Sequence, residues 1–192
     1  MSAIEIIAVI ISIIGVTLTI KRQMWCWFFN FIAFVLYAYI FYEYKLYGET
    51  ILQFIFIVMN LYGFYHWRKG KVEEHTIRIE KSNATTLVMQ MVLASIAGLL
   101  FGLGLHYFTD ASLPILDAQL AAFSLLATYW TTQKYIATWV LWVIVDIVYV
   151  GMFLYKSLYL TAGLYAVFIG LAILGWKQWN AVKKQQQHVG MI

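Results

Sequence analysis

Apolar residues in this chain gather into seven long runs separated by short polar breaks, without the strict alternation of a half-buried strand. The runs cover residues 3–20, 24–42, 49–67, 86–108, 114–133, 135–155 and 158–179. Each approaches the roughly 20 apolar residues that a helix needs to cross the hydrocarbon of a bilayer. Lipid offers no partner to a free backbone amide or carbonyl, so segments of this kind must be helical. The pattern predicts an all-α, polytopic membrane protein with seven transmembrane helices. Pro114 opens the fifth run, where its missing N–H is harmless. The first run has neither a basic stretch before it nor a small-residue cleavage site, so it reads as a retained helix rather than a signal peptide.

Composition removes the soluble alternative. Of 192 residues, 63% are hydrophobic and 11% charged, and the mean hydropathy is +0.77. Soluble domains run nearer half apolar and a quarter charged, and at this length they have no interior large enough to hide such a surplus. The bilayer is therefore the first partner. A net charge of +4 does not point to nucleic acid, because the basic residues border the apolar runs. Lys21, Arg22, Arg68, Lys69, Lys71, Arg78, Lys81, Lys134, Lys177, Lys183 and Lys184 fall after runs one, three, five and seven; Lys45 and Lys156 fall on the other side. By the positive-inside rule the N-terminus faces out and the C-terminus faces the cytoplasm. The segment 68–85 reads as a solvated cytoplasmic loop, and 180–192 as a cytoplasmic tail, polar and frayed from Lys183 to Ile192. Cys26, the single cysteine, excludes an internal disulfide, and His66, His75, His106 and His188 are too scattered to hold a metal.

A shift of 112 positions lays the two ends of the chain on each other without a gap, with eleven identities between residues 22–67 and 134–179. Trp27, Ile32, Tyr37 and Phe41 fall on Trp139, Ile144, Tyr149 and Phe153; Phe56, Gly63 and Trp67 fall on Phe168, Gly175 and Trp179. The offset spans an even number of crossings, so both copies run the same way through the membrane. A 3+1+3 architecture follows: a first three-helix repeat over 1–67, a linker helix over 86–108, and a second three-helix repeat over 114–179. Parallel repeats of this sort build transporters whose site lies between the repeats near the midplane. The copies differ where a solute would need chemistry: Asp146 falls on Phe34, Trp142 on Asn30, Tyr165 on Gln53 and Ala172 on Asn60.

Asp146 is the strongest single clue. A charged residue at bilayer depth costs roughly 2.5–3.5 kcal/mol on insertion scales, so it is a functional-site candidate by default, its plainer reading being a bond to a tyrosine or an internal water. Trp139, Trp142, Asp146, Tyr149 and Phe153 form one helical stripe on the sixth run. Trp27, Asn30, Phe34, Tyr37 and Phe41 repeat that spacing on the second, and Gln53, Asn60 and Trp67 share a face of the third. Polar groups in a bilayer face other helices or water, so the stripes are expected to converge on one cavity. Indoles beside an anion suit a flat, cationic, aromatic solute. Each feature also has a plainer reading. Trp27 and Trp139 suit interface anchors, and Asn30, Gln53 and Asn60 suit interhelical hydrogen bonds. Asp117 suits a helix cap and Glu5 a solvated end. Gly98 and Gly102 form a Gly-x-x-x-Gly pair that suits close helix packing or an oligomer contact.

Trp139-Val-Leu-Trp142-Val-Ile-Val-Asp146, Tyr159-Leu-Thr-Ala-Gly-Leu-Tyr165 and Gly175-Trp176-Lys-Gln-Trp179 resemble the PnuC-type vitamin transporter family. Leu46-Tyr47-Gly48-Glu49 and Asn60-Leu-Tyr62-Gly63-Phe-Tyr-His-Trp67 resemble its first repeat. The resemblance covers nearly the whole chain. It implies a SWEET-like fold in a bacterial inner membrane, facilitated diffusion of a vitamin, and trapping inside by a separate cytoplasmic kinase. It also implies a possible homo-oligomer and no cofactor. Substrates in such a family are nicotinamide riboside, thiamine or riboflavin-like solutes. The nicotinamide riboside members carry Trp-x-x-Trp-x-x-x-Asn where this chain has Trp139, Trp142 and Asp146. Aspartate only accepts hydrogen bonds and supplies a counter-charge. That difference tilts the expectation towards thiamine, with nicotinamide riboside as the alternative. Expected solute contacts are Trp139, Trp142, Asp146, Tyr149, Asn30, Gln53, Asn60, Trp27 and Tyr37.

Other classes fit less well, a purely structural or scaffolding protein among them, since a scaffold has little reason to retain Asp146. A proton-coupled carrier would use Asp146, yet the chain shows no further relay of acids and histidines. A membrane enzyme would need nucleophiles, acid–base pairs or metal ligands gathered at one depth, and the sequence offers no such group.

Overall fold

A computed structural model describes residues 3–43, 47–69, 72–73, 76–77, 79–80, 82–108, 113–155 and 159–189. Among these the chain forms seven helices: α1 (Ala3–Ile20), α2 (Trp25–Glu43), α3 (Tyr47–Lys69), α4 (Ala84–Phe108), α5 (Pro114–Thr132), α6 (Ala137–Tyr155) and α7 (Tyr159–Val189). An antiparallel hairpin of two-residue strands, β1 (Val72–Glu73) and β2 (Thr76–Ile77), lies between α3 and α4. Lys45, Leu46, Lys156 and the positions after Val189 lie outside the described residues. Pro114 sits in the first turn of α5, as its locked φ and missing donor favour.

By length and composition α1, α2, α4 and α6 can each cross a bilayer unaided. The helices α3, α5 and α7 carry more polar residues, such as Gln53, Asn60, Gln119 and Asn180. Apolar side chains cover the outside, among them Ile7, Phe28, Val58, Leu93, Leu100 and Ile147. So much exposed apolar surface belongs against lipid.

Six helices close a ring in the order α1, α2, α3, α5, α6, α7, each packed on its two neighbours. In that order α2 stands across from α6, and α3 from α7. The linker helix α4 lies outside, packed on α5. Its buried residues are Gly98 and Gly102. A Cβ on Gly102 would fall 2.8 Å from the Ile115 Cα, and one on Gly98 3.1 Å from the Ala122 Cβ. The Gly-x-x-x-Gly pair is therefore spent on a helix of the same chain, which leaves it no role as an oligomer seam.

The geometry recurs at the sequence offset. Arg22 and Lys134 both take left-handed backbone conformations, φ 56° and 61°. Non-glycine residues enter that region at a cost on the order of 1 kcal/mol. Around them the same bonds form twice. The Gln23 N–H donates to the Leu18 carbonyl and the Tyr135 N–H to that of Trp130, both at 3.0 Å. The Arg22 N–H reaches the Thr19 carbonyl and the Lys134 N–H that of Thr131, also at 3.0 Å. These are Schellman closures, which satisfy the last carbonyls of α1 and α5 and aim the chain into the next helix.

One expectation fails. The stretch from Lys183 does not fray as far as it is described; α7 continues unbroken to Val189. Ala, Lys and Gln dominate that stretch and are strong helix formers, and its lysines favour a helix C-terminus.

Candidate functional site

The helix α6 places its chemistry inside the ring. Val140, Ile144, Ile147, Val148, Gly151 and Leu154 are exposed on one side. Leu141, Val145 and Met152 pack with Leu120, Leu126 and Trp130 of α5. Trp142, Asp146, Tyr149 and Phe153 occupy the middle of the covered arc, so they face inwards. Asp146 is only 3% exposed, and no hydrogen bond or ion pair to it forms among the described residues. A buried carboxyl without a partner is costly. Its surroundings on the Tyr149 side of the stripe are aromatic. Tyr149 lies 4.7 Å from Tyr165 between ring centroids, Phe153 5.1 Å from Tyr165, and Tyr149 stacks on Phe153 at 5.7 Å.

The facing wall, from α2 and α3, has the same outline with different chemistry. Tyr37 and Phe41 stack at 5.8 Å, echoing Tyr149 and Phe153. Phe34, at the position equivalent to Asp146, stacks on Phe56 at 5.3 Å. Gln53, equivalent to Tyr165, is buried, and so is Asn60. The Asn60 amide donates to the Trp27 carbonyl at 2.7 Å, while its Oδ1 has no partner among the described residues. Asn30 is half-buried beside Gly15, where a Cβ would collide with its side-chain oxygen. Across from this polar wall stands the carboxylate. No hydrogen bond joins Asp146 to Asn30, Gln53 or Asn60 among the described residues.

Trp27 and Trp139 belong to a different feature. Both are almost fully buried, at 4% and 3% exposure, so neither is a lipid-interface anchor. Trp27 meets Trp67 edge-on at 5.1 Å and Trp139 meets Trp179 edge-on at 5.3 Å. Trp67 and Trp179 then meet across the ring at 6.3 Å. Gly63 and Gly175 let the indoles of Trp27 and Trp139 lie flat on the neighbouring helix; a Cβ on Gly175 would be 2.6 Å from the Trp139 ring. The two repeats are also cross-linked in both directions. The Trp179 indole donates to the Ile20 carbonyl at 3.0 Å, and the Trp67 indole to the Thr131 carbonyl at 3.1 Å. Four tryptophans thus plug the end of the ring that carries Arg22 and Lys134. Trp142 lies one turn of α6 from this plug and one turn from Asp146, and bridges the two features.

A segment that the sequence reading treated as free solvent-exposed loop completes the plug. Ile79 is 5% exposed and packs into the tryptophan cluster. Its N–H donates to the Gln186 side chain at 3.3 Å. The next N–H, of Glu80, donates to the Lys134 carbonyl at 3.3 Å, and the Glu80 carboxylate lies 3.9 Å from the Lys134 ammonium. The available signal was an isoleucine flanked by charges. Asp117 lies in the first turn of α5, and the N-cap position is Leu113.

Comparison with known proteins adds the context. The nicotinamide riboside transporter PnuC of Neisseria mucosa is 25% identical over 93% of this chain and 72% of its own length. The PnuC of Escherichia coli is 24% identical over 93% of the chain and 85% of its own. A riboflavin/roseoflavin transporter, RibM of Streptomyces davaonensis, is 22% identical over 91% and 83%. The crystal structure of the vitamin B3 transporter PnuC superposes with a TM-score of 0.78, at 24% identity, over 93% of this chain and 80% of that one. That likeness establishes the fold, a helical multi-pass membrane protein. Residues 2–181 match the family described as nicotinamide mononucleotide transporters, and the chain belongs to that family of membrane transporters rather than to an enzyme class.

Proposed function

We propose that this protein is a uniporter that admits a cationic aromatic vitamin, with thiamine favoured over nicotinamide riboside. One observation carries the reading: Asp146 is a buried, unpartnered carboxylate between Trp142 and an aromatic wall, at the position where the opposite repeat has Phe34. Family membership supports transport, and the relatives' names supply nicotinamide riboside and riboflavin as the neighbouring substrates. In this reading Asp146 is the counter-charge, Trp142, Tyr149 and Tyr37 flank the ring system, and Asn30, Gln53 and Asn60 take the polar substituents. Trp27 and Trp139 act less directly, by holding the walls in place. The two helix triplets, 1–67 and 114–179, rock about the site and give access to each side in turn. The basic end, with the C-terminus, faces the cytoplasm of a bacterial inner membrane, and a cytoplasmic kinase traps the product.

Calorimetric titration of the purified protein with thiamine, nicotinamide riboside and riboflavin tests the assignment. Thiamine should bind tightest. Removing the carboxylate in Asp146→Ala should weaken it roughly ten- to a hundred-fold, the worth of a charge-assisted contact. Asp146→Asn should move the preference towards nicotinamide riboside. Tighter binding of nicotinamide riboside by the unaltered protein, or indifference to Asp146→Ala, overturns the reading.

The same unpartnered carboxyl favours a second reading, in which Asp146 carries a proton with the solute. Uptake into liposomes that enclose a thiamine kinase and ATP separates the two. A uniporter keeps its rate when a protonophore collapses the gradient; a coupled carrier does not.

A further inference from the structure

The two seams between the repeats are related by the same offset of 112, yet they are finished differently. One seam joins α3 to α5 and the other joins α1 to α7. In the first, Tyr62, Tyr65, His66 and Tyr129 fill the surface. Tyr62 stacks on His66 at 5.8 Å and accepts a hydrogen bond from Gln133 at 3.4 Å, and the Lys69 ammonium sits over the Tyr65 ring. In the second, the equivalent positions are Leu174, Lys177, Gln178 and Thr17, and what they leave is an open groove of about 460 Å³.

The groove has a polarity gradient. Lys21 and Lys177, both exposed, stand at its rim with Gln178. They lie at one depth, because the Trp179 indole reaches the carbonyl of Ile20 beside them. Leu174 and Leu171 lie about 4.5 Å and 9 Å further along α7 towards the membrane centre, and Thr17 about 6 Å along α1. Two cations sit over an apolar trough that opens sideways to the bilayer. Neither cation has a counterpart in the filled seam, where Gln133 and Tyr65 take those places.

We propose that this seam is a binding site for one anionic phospholipid. The phosphate lies between Lys21 and Lys177, with Gln178 as a further donor, and an acyl chain runs inwards over Leu174 and Leu171. The chemistry favours a lipid over a soluble anion, since only a lipid satisfies the apolar floor together with the charged rim. A basic pocket between transmembrane helices at an anionic leaflet is suited to such a headgroup. It is suited as well to a regulator, because the groove lies on a joint between the two repeats. Ile20, which lines it, also accepts the Trp179 bond that closes the ring.

Native mass spectrometry of the purified protein, after equilibration with phosphatidylglycerol or phosphatidylcholine, tests the site without reference to any transported solute. One phosphatidylglycerol per chain should be retained in preference to phosphatidylcholine. Lys21→Gln with Lys177→Gln should weaken that retention about twenty-five-fold, at about five-fold per lysine. Leu174→Trp, which fills the trough as the tyrosines fill the other seam, should abolish it while the thermal transition stays in place. Lys183→Gln with Lys184→Gln, outside the groove, should leave it unchanged. Equal retention of the two lipids overturns the proposal, as does full retention in either groove variant, or displacement of the lipid by excess inorganic phosphate.

Discussion

At the scale of single residues, two kinds of position matter, and they behaved differently under sequence reading. The burial of Asp146 was legible because its anomaly is chemical: a carboxylate within an apolar run has to turn away from lipid whatever it packs against. Trp27 and Trp139 were not, because an indole near a helix end suits a lipid interface, a ligand or a core equally well. Only the positions of Trp67, Trp179, Gly63 and Gly175 reveal that they are core. The glycines make this testable. Gly63→Ala and Gly175→Ala push a methyl into a flat indole, and overpacking of this kind costs about 1–3 kcal/mol. Both should lower the thermal transition in detergent. Gly163→Ala meets open space on α7 and should not lower it, since alanine is the better helix former by about 1 kcal/mol.

At the scale of elements, hydropathy located the seven helices well, because crossing lipid imposes a length on each run. It misjudged the end of α7, where no lipid demands apolar residues and only propensity and a partner loop sustain the helix. The relation between elements was less accessible. A shared offset showed that two triplets exist, but not that Trp67 and Trp179 would cross-bond them, since the acceptors are main-chain carbonyls that any residue supplies. Trp67→Phe and Trp179→Phe each remove one such bond, a loss of about 1 kcal/mol, although the Thr131 carbonyl keeps the Lys134 N–H. If the bonds act as one latch, the double variant should show coupling in a double-mutant cycle of thermal stability; strict additivity would mean two independent contacts. For α4 the expectation is simpler. Gly102→Leu cannot be accommodated against Ile115 and Pro114, so α4 should part from α5 and become accessible to protease at its ends.

At the scale of the whole molecule, the ring of six helices converts sequence symmetry into an interior with a tryptophan cluster at one end and chemically unlike walls. Which helices would be neighbours was not readable, because lipid-facing and partner-facing residues are equally apolar in a membrane protein. Under the proposed mechanism the arrangement also bears on how the joined parts would travel. The strand pair and the residues after it connect α3 of one triplet to α4, yet Ile79, Glu80, Lys134 and Gln186 tie that connection to the other triplet. It should ride with α5, α6 and α7 as a passenger. Spin labels on Asn83 and Lys183 should keep their separation when solute is added, while labels on Asn83 and Gln23 should change theirs. The short strap would then be a tether of fixed slack, and the distance it can pay out before Ile79 leaves its tryptophans would cap the stroke of the carrier.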